Sequence, residues 1–128
     1  MLRQEILAGL RASPPPEGSG PDYEVIFCFG KEFVGFRGHF PGHPVLPAFI
    51  QILMGQCAVE RRIARRWALQ GVDRAKFMKI ILPDQPVTLR WREQPLDKGL
   101  RGSFSLWVEG QKAATFTLDL VAEEGRHA

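Results

Sequence analysis

His39 and His43 stand among Pro41, Pro44 and Pro47 in the stretch GHFPGHPVLPAFIQILMGQ, residues 38–56. An imidazole exchanges its proton near neutral pH, so a histidine here can act as a general base or acid. Each proline fixes its own φ and restricts the residue before it, which holds such a base in place rather than leaving it on a wandering loop. On the residues alone a structural, loop-fixing role stands beside the chemical one for both histidines, and proline spacing does not choose between them. The segment that follows supplies no acid. AFIQILMGQCAV is apolar apart from its two amides, and the first carboxylate after the loop is Glu60.

Other reactive side chains point away from chemistry. Cys28 and Cys57 have neither CxxC nor zinc-ligand spacing, and they lie in a strand-like and a helix-like run, so both are expected as reduced core thiols. Neither a metal nor a cofactor is expected. Arg61, Arg62, Arg65 and Arg66 suit either a solvated helix face or a dock for an acidic partner. Nucleic-acid binding would interleave aromatics with that basic face, and only Trp67 is near. The formal charge of +3 fits an acidic partner without naming one. Charged residues interrupt the apolar positions of residues 1–12, and no later run is long enough to span a bilayer, so a soluble, cytoplasmic protein without membrane or nucleic-acid contact is expected.

The elements that must position these groups follow from periodicity. Leu2, Ile6, Leu7 and Leu10 predict a short N-terminal helix, broken by the proline- and glycine-rich stretch Ser13–Asp22. Tyr23–Phe29 and Phe33–Phe36 are strand-like. Proline suits a first helical turn, and the next one after Pro47 is Pro83, so a helix is predicted over Pro47–Leu69 with Gly71 as its stop. Its first half is apolar nearly all round; its second keeps Val59, Ile63 and Trp67 on one stripe. After it the period falls to two over Ala75–Leu82, Pro86–Trp91, Gly102–Val108 and Ala113–Val121, an antiparallel meander. The 128 residues, 45% hydrophobic and 24% charged, suit one domain (1–128), with residues 1–22 as helix and loop and residues 123–128 as a tail. The class is α+β, with a sheet wrapped around one long helix.

This order of elements, with GHFPGHPVLPA leading into the long helix, resembles the hot-dog-fold 3-hydroxyacyl-(acyl carrier protein) dehydratases of fatty-acid and polyketide or polyene synthesis. The specific part is His-Phe-Pro-x-x-Pro-x-x-Pro, matched by His39, Phe40, Pro41, Pro44 and Pro47. FMKIILPDQPVTLRW also looks like the strand after the helix, with Pro83-Asp84-Gln85 where the family usually has Pro-Gly-Asp. The resemblance covers Tyr23 to Val121. It implies a hot-dog fold and a carbon–oxygen lyase acting on an acyl thioester of acyl carrier protein or coenzyme A. It also implies a homodimer, or a higher oligomer of dimers, with its sites at the subunit interface.

On this resemblance His39 is the base, and the helix start binds the thioester carbonyl. Ala48 stands where the family usually has Gly; it supplies the same N–H provided that its φ is not positive. Phe40, Pro47, Ala48, Phe49, Leu53 and Gln56 would line the substrate site, and Arg61, Arg62 and Arg65 would dock the carrier. The sequence departs from the pattern at the acid. The family's Glu or Asp falls on Leu53, or on Ile52 if Gln56 sets the register. Glu60 shares the face of Leu53 but lies about 10 Å along the axis. The expected activity is therefore a weakened dehydratase. The alternatives are an acyl-binding subunit that pairs with an acid-bearing paralogue, and a hot-dog thioesterase.

Overall fold

The computed structural model describes residues 2–12, 22–37, 42 and 44–123. Helix α1 (Leu2–Ala8) and strand β1 (Leu10–Ala12) are followed by β2 (Asp22–Phe27), a 3-10 turn (Val34–Phe36) and the long helix α2 (Ala48–Ile63). Strands β3 (Trp67–Phe77), β4 (Val87–Leu96), β5 (Gly99–Val108) and β6 (Gln111–Ala122) complete the order. They form one six-stranded sheet, β1-β2-β4-β5-β6-β3, with every pairing antiparallel. This is the α+β hot-dog architecture.

Strict alternation sends one face of the sheet inward. Val25 and Phe27 of β2, Val87, Leu89 and Trp91 of β4, Leu106 of β5 and Leu118 of β6 are buried in a core shared with Ile50, Met54 and Val59 of α2. An aromatic row crosses five strands: Tyr23, Trp91, Phe104, Phe116 and Phe77 stack with centroids 5.3, 5.9, 5.4 and 6.3 Å apart. Gly55 seats α2 on this row, since a Cβ there would stand 3.1–3.2 Å from the rings of Phe104 and Phe116. A Cβ there would require the rings to give by a few tenths of an ångström, so glycine lets the helix sit this close without that shift.

Four expectations about the elements need correction. The N-terminal helix ends at Ala8, and Leu10, expected on its apolar face, opens β1 and pairs with Phe27. The long helix does not run to Leu69. It ends at Ile63, where Ala64 turns left-handed (φ 58°, ψ 44°) and donates its N–H to Glu60 O. Residues from Trp67 onward pair with β6 instead, and Gly71, expected as the helix stop, lies within β3 beside a register shift. Strand pairing and burial of Trp67 outweigh the helix propensity of Arg65, Arg66, Ala68 and Leu69. Next, only Ala75–Phe77 of the predicted strand Ala75–Leu82 belongs to the sheet. Beyond it the chain turns under the start of α2, where Met78 N and Lys79 N both donate to Ala113 O. Finally, Phe33–Phe36 is no strand: Val34–Phe36 forms the 3-10 turn, with Phe33 stacked on Phe29 at 4.4 Å.

The Pro83-Asp84-Gln85 turn explains its own departure from Pro-Gly-Asp. Asp84 has φ 66°, a left-handed conformation that Asp tolerates better than most residues, and its N–H donates to Phe29 O at 2.7 Å. Among the described residues no helix is long and apolar enough to cross a membrane, and no group of three or more His, Cys, Asp or Glu is placed to hold a metal ion.

Candidate functional site

The start of α2 is tied to the segment that follows β3. Leu46 N donates to Ile81 O at 2.8 Å, and Leu46 O accepts from Gln51 Nε2 at 3.0 Å. Pro47 is the N-cap in extended conformation (φ −66°, ψ 154°) with no side-chain cap, and the first turn carries no acid. Ala48 is the first helical residue and is not among the positive-φ positions, so its N–H occupies the helix N-terminus as a glycine's would. The first N–H groups of a helix have no intrahelical partner and carry its positive dipole end, a suitable seat for a carbonyl that gains negative charge.

Beside this terminus lies a groove of about 350 Å³, lined by Val45, Leu46, Pro47, Ala48 and Gln51 on one side and by Phe77–Ile80 on the other. It is largely apolar, and among the described residues Lys79 is its one charged lining residue. Exposed apolar side chains surround it: Phe49 is 53% exposed, Met78 53% and Ile80 64%, with Phe77 and Leu82 also exposed. They adjoin the outer edge of β3, with which no strand among the described residues pairs.

His39 and Phe40, together with His43, lie outside the described residues. Of the other expected site residues, Pro47 and Ala48 line the groove, and Phe49 stands exposed beside them. Leu53 is half-buried and packs against the core. Gln56 is buried, and its Nε2 donates to Trp67 O at 2.8 Å, tying α2 to the start of β3. Gln51, absent from the expected site residues, lines the groove and is buried. Its clamp on Leu46 depends on how the loop folds back, and spacing along the chain carries no trace of that.

Glu60, the nearest acid to Leu53 on the helix, is already engaged. Its carboxylate accepts from Arg3 Nε at 2.9 Å, from Arg3 Nη2 at 3.3 Å and from Trp67 N at 3.0 Å. That set joins α1, α2 and β3, and the pairing raises the Arg3 pKa through the hydrogen bond to Glu60. Of the basic face, Arg62 forms a two-pronged pair with Glu93 and lies over the Tyr23 ring at 4.3 Å. Arg65 lies 6.0 Å from the Trp67 ring centroid, and Arg61 and Arg65 remain exposed.

Of the two thiols expected in the core, Cys28 is only half-buried and lies outside it. Cys57 is fully buried, and burial, with a smaller contribution from the charge of Glu60, pushes its thiol up to about 11. The folded state thus keeps the proton that the unfolded thiol releases near pH 8.5. Two results are expected. Thiol reagents should label Cys57 slowly in the native protein at pH 8. The stability difference between wild type and Cys57→Ala should be constant below about pH 8.5 and shrink as pH rises toward 11. Rapid native-state labelling would contradict the burial.

A sheet wrapped on one long helix defines a hot-dog protein. The chain belongs to the ApeI-like family, described as ApeI dehydratase, whose model matches residues 17–117. A 3-hydroxyacyl-[acyl-carrier-protein] dehydratase FabZ of Latilactobacillus sakei subsp. sakei (strain 23K) is 32% identical over 69% of this chain and 69% of that protein. The FabZ of Syntrophomonas wolfei is 42% identical over a shorter match, which spans 38% of this chain and 38% of that protein. Among solved structures, the dehydratase heterocomplex ApeI:P from Xenorhabdus doucetiae superposes with a TM-score of 0.70, covering 88% of this chain and 96% of that chain at 20% identity. At that identity the likeness speaks for the fold.

Proposed function

We propose that this chain is a single hot-dog domain acting as the histidine-bearing subunit of a 3-hydroxyacyl-thioester dehydratase, with its substrate carried on acyl carrier protein or coenzyme A. His39 takes the C2 proton while the N–H groups at the start of α2, Ala48 first, hold the thioester carbonyl as it gains charge. The C2 electron pair forms the double bond, the C3–oxygen bond breaks, and the hydroxyl leaves as water with a proton from a general acid. Leu53 leaves this chain without that acid. A second subunit of the same fold, seated along β3, supplies it. Exposed Arg61 and Arg65 suit an acidic carrier protein at the end of α2 away from the groove, about 20 Å along the axis from Ala48.

The observation that carries this reading is the engagement of Glu60. With its carboxylate accepting from Arg3 and Trp67 N, the nearest acid on α2 serves the fold, and none of the groove's lining residues among those described is acidic. The edge of β3, unpaired among the described residues, and the apolar side chains beside the groove favour a partner there. The Xenorhabdus relative is itself a heterocomplex. Product analysis with a 3-hydroxyacyl-carrier thioester tests the assignment. The chain alone should yield enoyl thioester slowly and no free acid. Release of free acid would move the protein to thioester hydrolysis.

A further inference from the structure

Gln51 is 3% exposed, and its amide is half satisfied. Nε2 donates to Leu46 O at 3.0 Å, which fixes the amide's orientation, because the reverse would set two oxygens against each other. Oε1 then has no partner among the described residues. Buried acceptors are seldom left unmet, and this one belongs to a residue that lines the groove. Its position is set by backbone: Gln51 N donates to Pro47 O at 3.2 Å, and Leu46 is pinned in turn to Ile81 O.

We propose that Gln51 Oε1 accepts a hydrogen bond from the C3 hydroxyl of the bound acyl thioester, so that Gln51 positions the substrate and selects for its hydroxyl. The inference rests on the thioester site proposed above. Ala48 and Gln51 are three apart and share a helix face. The face therefore presents an N–H donor and, one turn on, a fixed acceptor. A 3-hydroxyacyl thioester presents the complement, a carbonyl acceptor and a hydroxyl donor separated by one methylene. A saturated acyl chain lacks the donor and leaves Oε1 buried and unmet, which is how a polar site rejects an analogue. The enoyl product has lost the same hydroxyl, so the bond disappears as water leaves and product release is favoured.

Calorimetric titration of 3-hydroxybutyryl-pantetheine and butyryl-pantetheine tests this. Wild type should prefer the hydroxylated ligand by about tenfold. Gln51→Met keeps the bulk but no strong acceptor, and should bind both alike. In Gln51→Glu a carboxyl shielded from water favours its protonated form, which can donate to Leu46 O and still accept, so the preference should persist. Equal binding of both ligands by wild type overturns the inference and leaves the thioester site standing. A preference that survives Gln51→Met overturns it too, and an equal loss of both ligands with that preference intact assigns Oε1 to a pantetheine amide instead. Binding of neither ligand overturns the inference and the thioester site together. If Gln51→Met does not fold, the preferences of wild type and Gln51→Glu decide.

Discussion

Leu53→Glu is expected to raise the rate of enoyl-thioester hydration, the reverse of dehydration, on the order of 10²–10⁴-fold over the wild-type chain alone. That range is what a positioned acid or base contributes. Leu53 is half-buried against the core on α2, one turn and a half beyond the helix start that is proposed to hold the thioester carbonyl. A carboxyl at such a position loses part of its hydration, which costs stability and favours the protonated form. Dehydration needs that form to donate to the leaving hydroxyl, and hydration needs its conjugate base to accept from water. The melting temperature should therefore fall while turnover rises, a combination that general disruption of the fold does not produce.

Replacing Met78 and Ile80 together by Asp is expected to convert the assembled protein to monomers. Both side chains are more than half exposed in the single chain, beside the edge of β3, which is unpaired among the described residues. About half of each side chain is left to bury against a partner, worth about 1–1.5 kcal/mol apiece, so losing both weakens association by roughly 10–10²-fold even before the charges are counted. Light scattering of wild type and the double variant measures it. A wild-type monomer, or a variant that stays assembled, would place the partner elsewhere.

The sequence made the beginning of α2 legible and its end illegible, for different physical reasons. Pro47 is a local signal, because a residue without an N–H suits a helix start wherever the rest of the chain lies. The stop at Ile63 is set by contacts across the chain: Glu60 receives Trp67 N and Arg3, a residue 57 positions away, and Trp67 pairs with Ala122. No window around Ala64 contains those partners. β4, β5 and β6 were legible because alternation alone decides which side chains face the core, whereas Met78–Leu82 carried the same apolar content and left the sheet to pin Leu46. The site divides in the same way. The His-Phe-Pro motif and the helix terminus can be read along the chain, and Ala48 keeps the N–H that was expected of it. The hydrogen bond of Gln51 to Leu46 O and the engagement of Glu60 depend on tertiary contacts. Those two contacts carry the positioning inference and the case for an external acid.

The claim that His39 works as the base opposite an acid missing from position 53 is tested most directly by one comparison. It is the hydration rate of an enoyl-carrier thioester for wild type, Leu53→Glu and the double variant Leu53→Glu with His39→Ala, each verified as folded and dimeric. The account predicts a slow wild type, a gain with Leu53→Glu, and loss of that gain when His39 is removed. A Leu53→Glu protein that is folded, dimeric and inert, or a fast wild-type rate that survives His39→Ala, would contradict it.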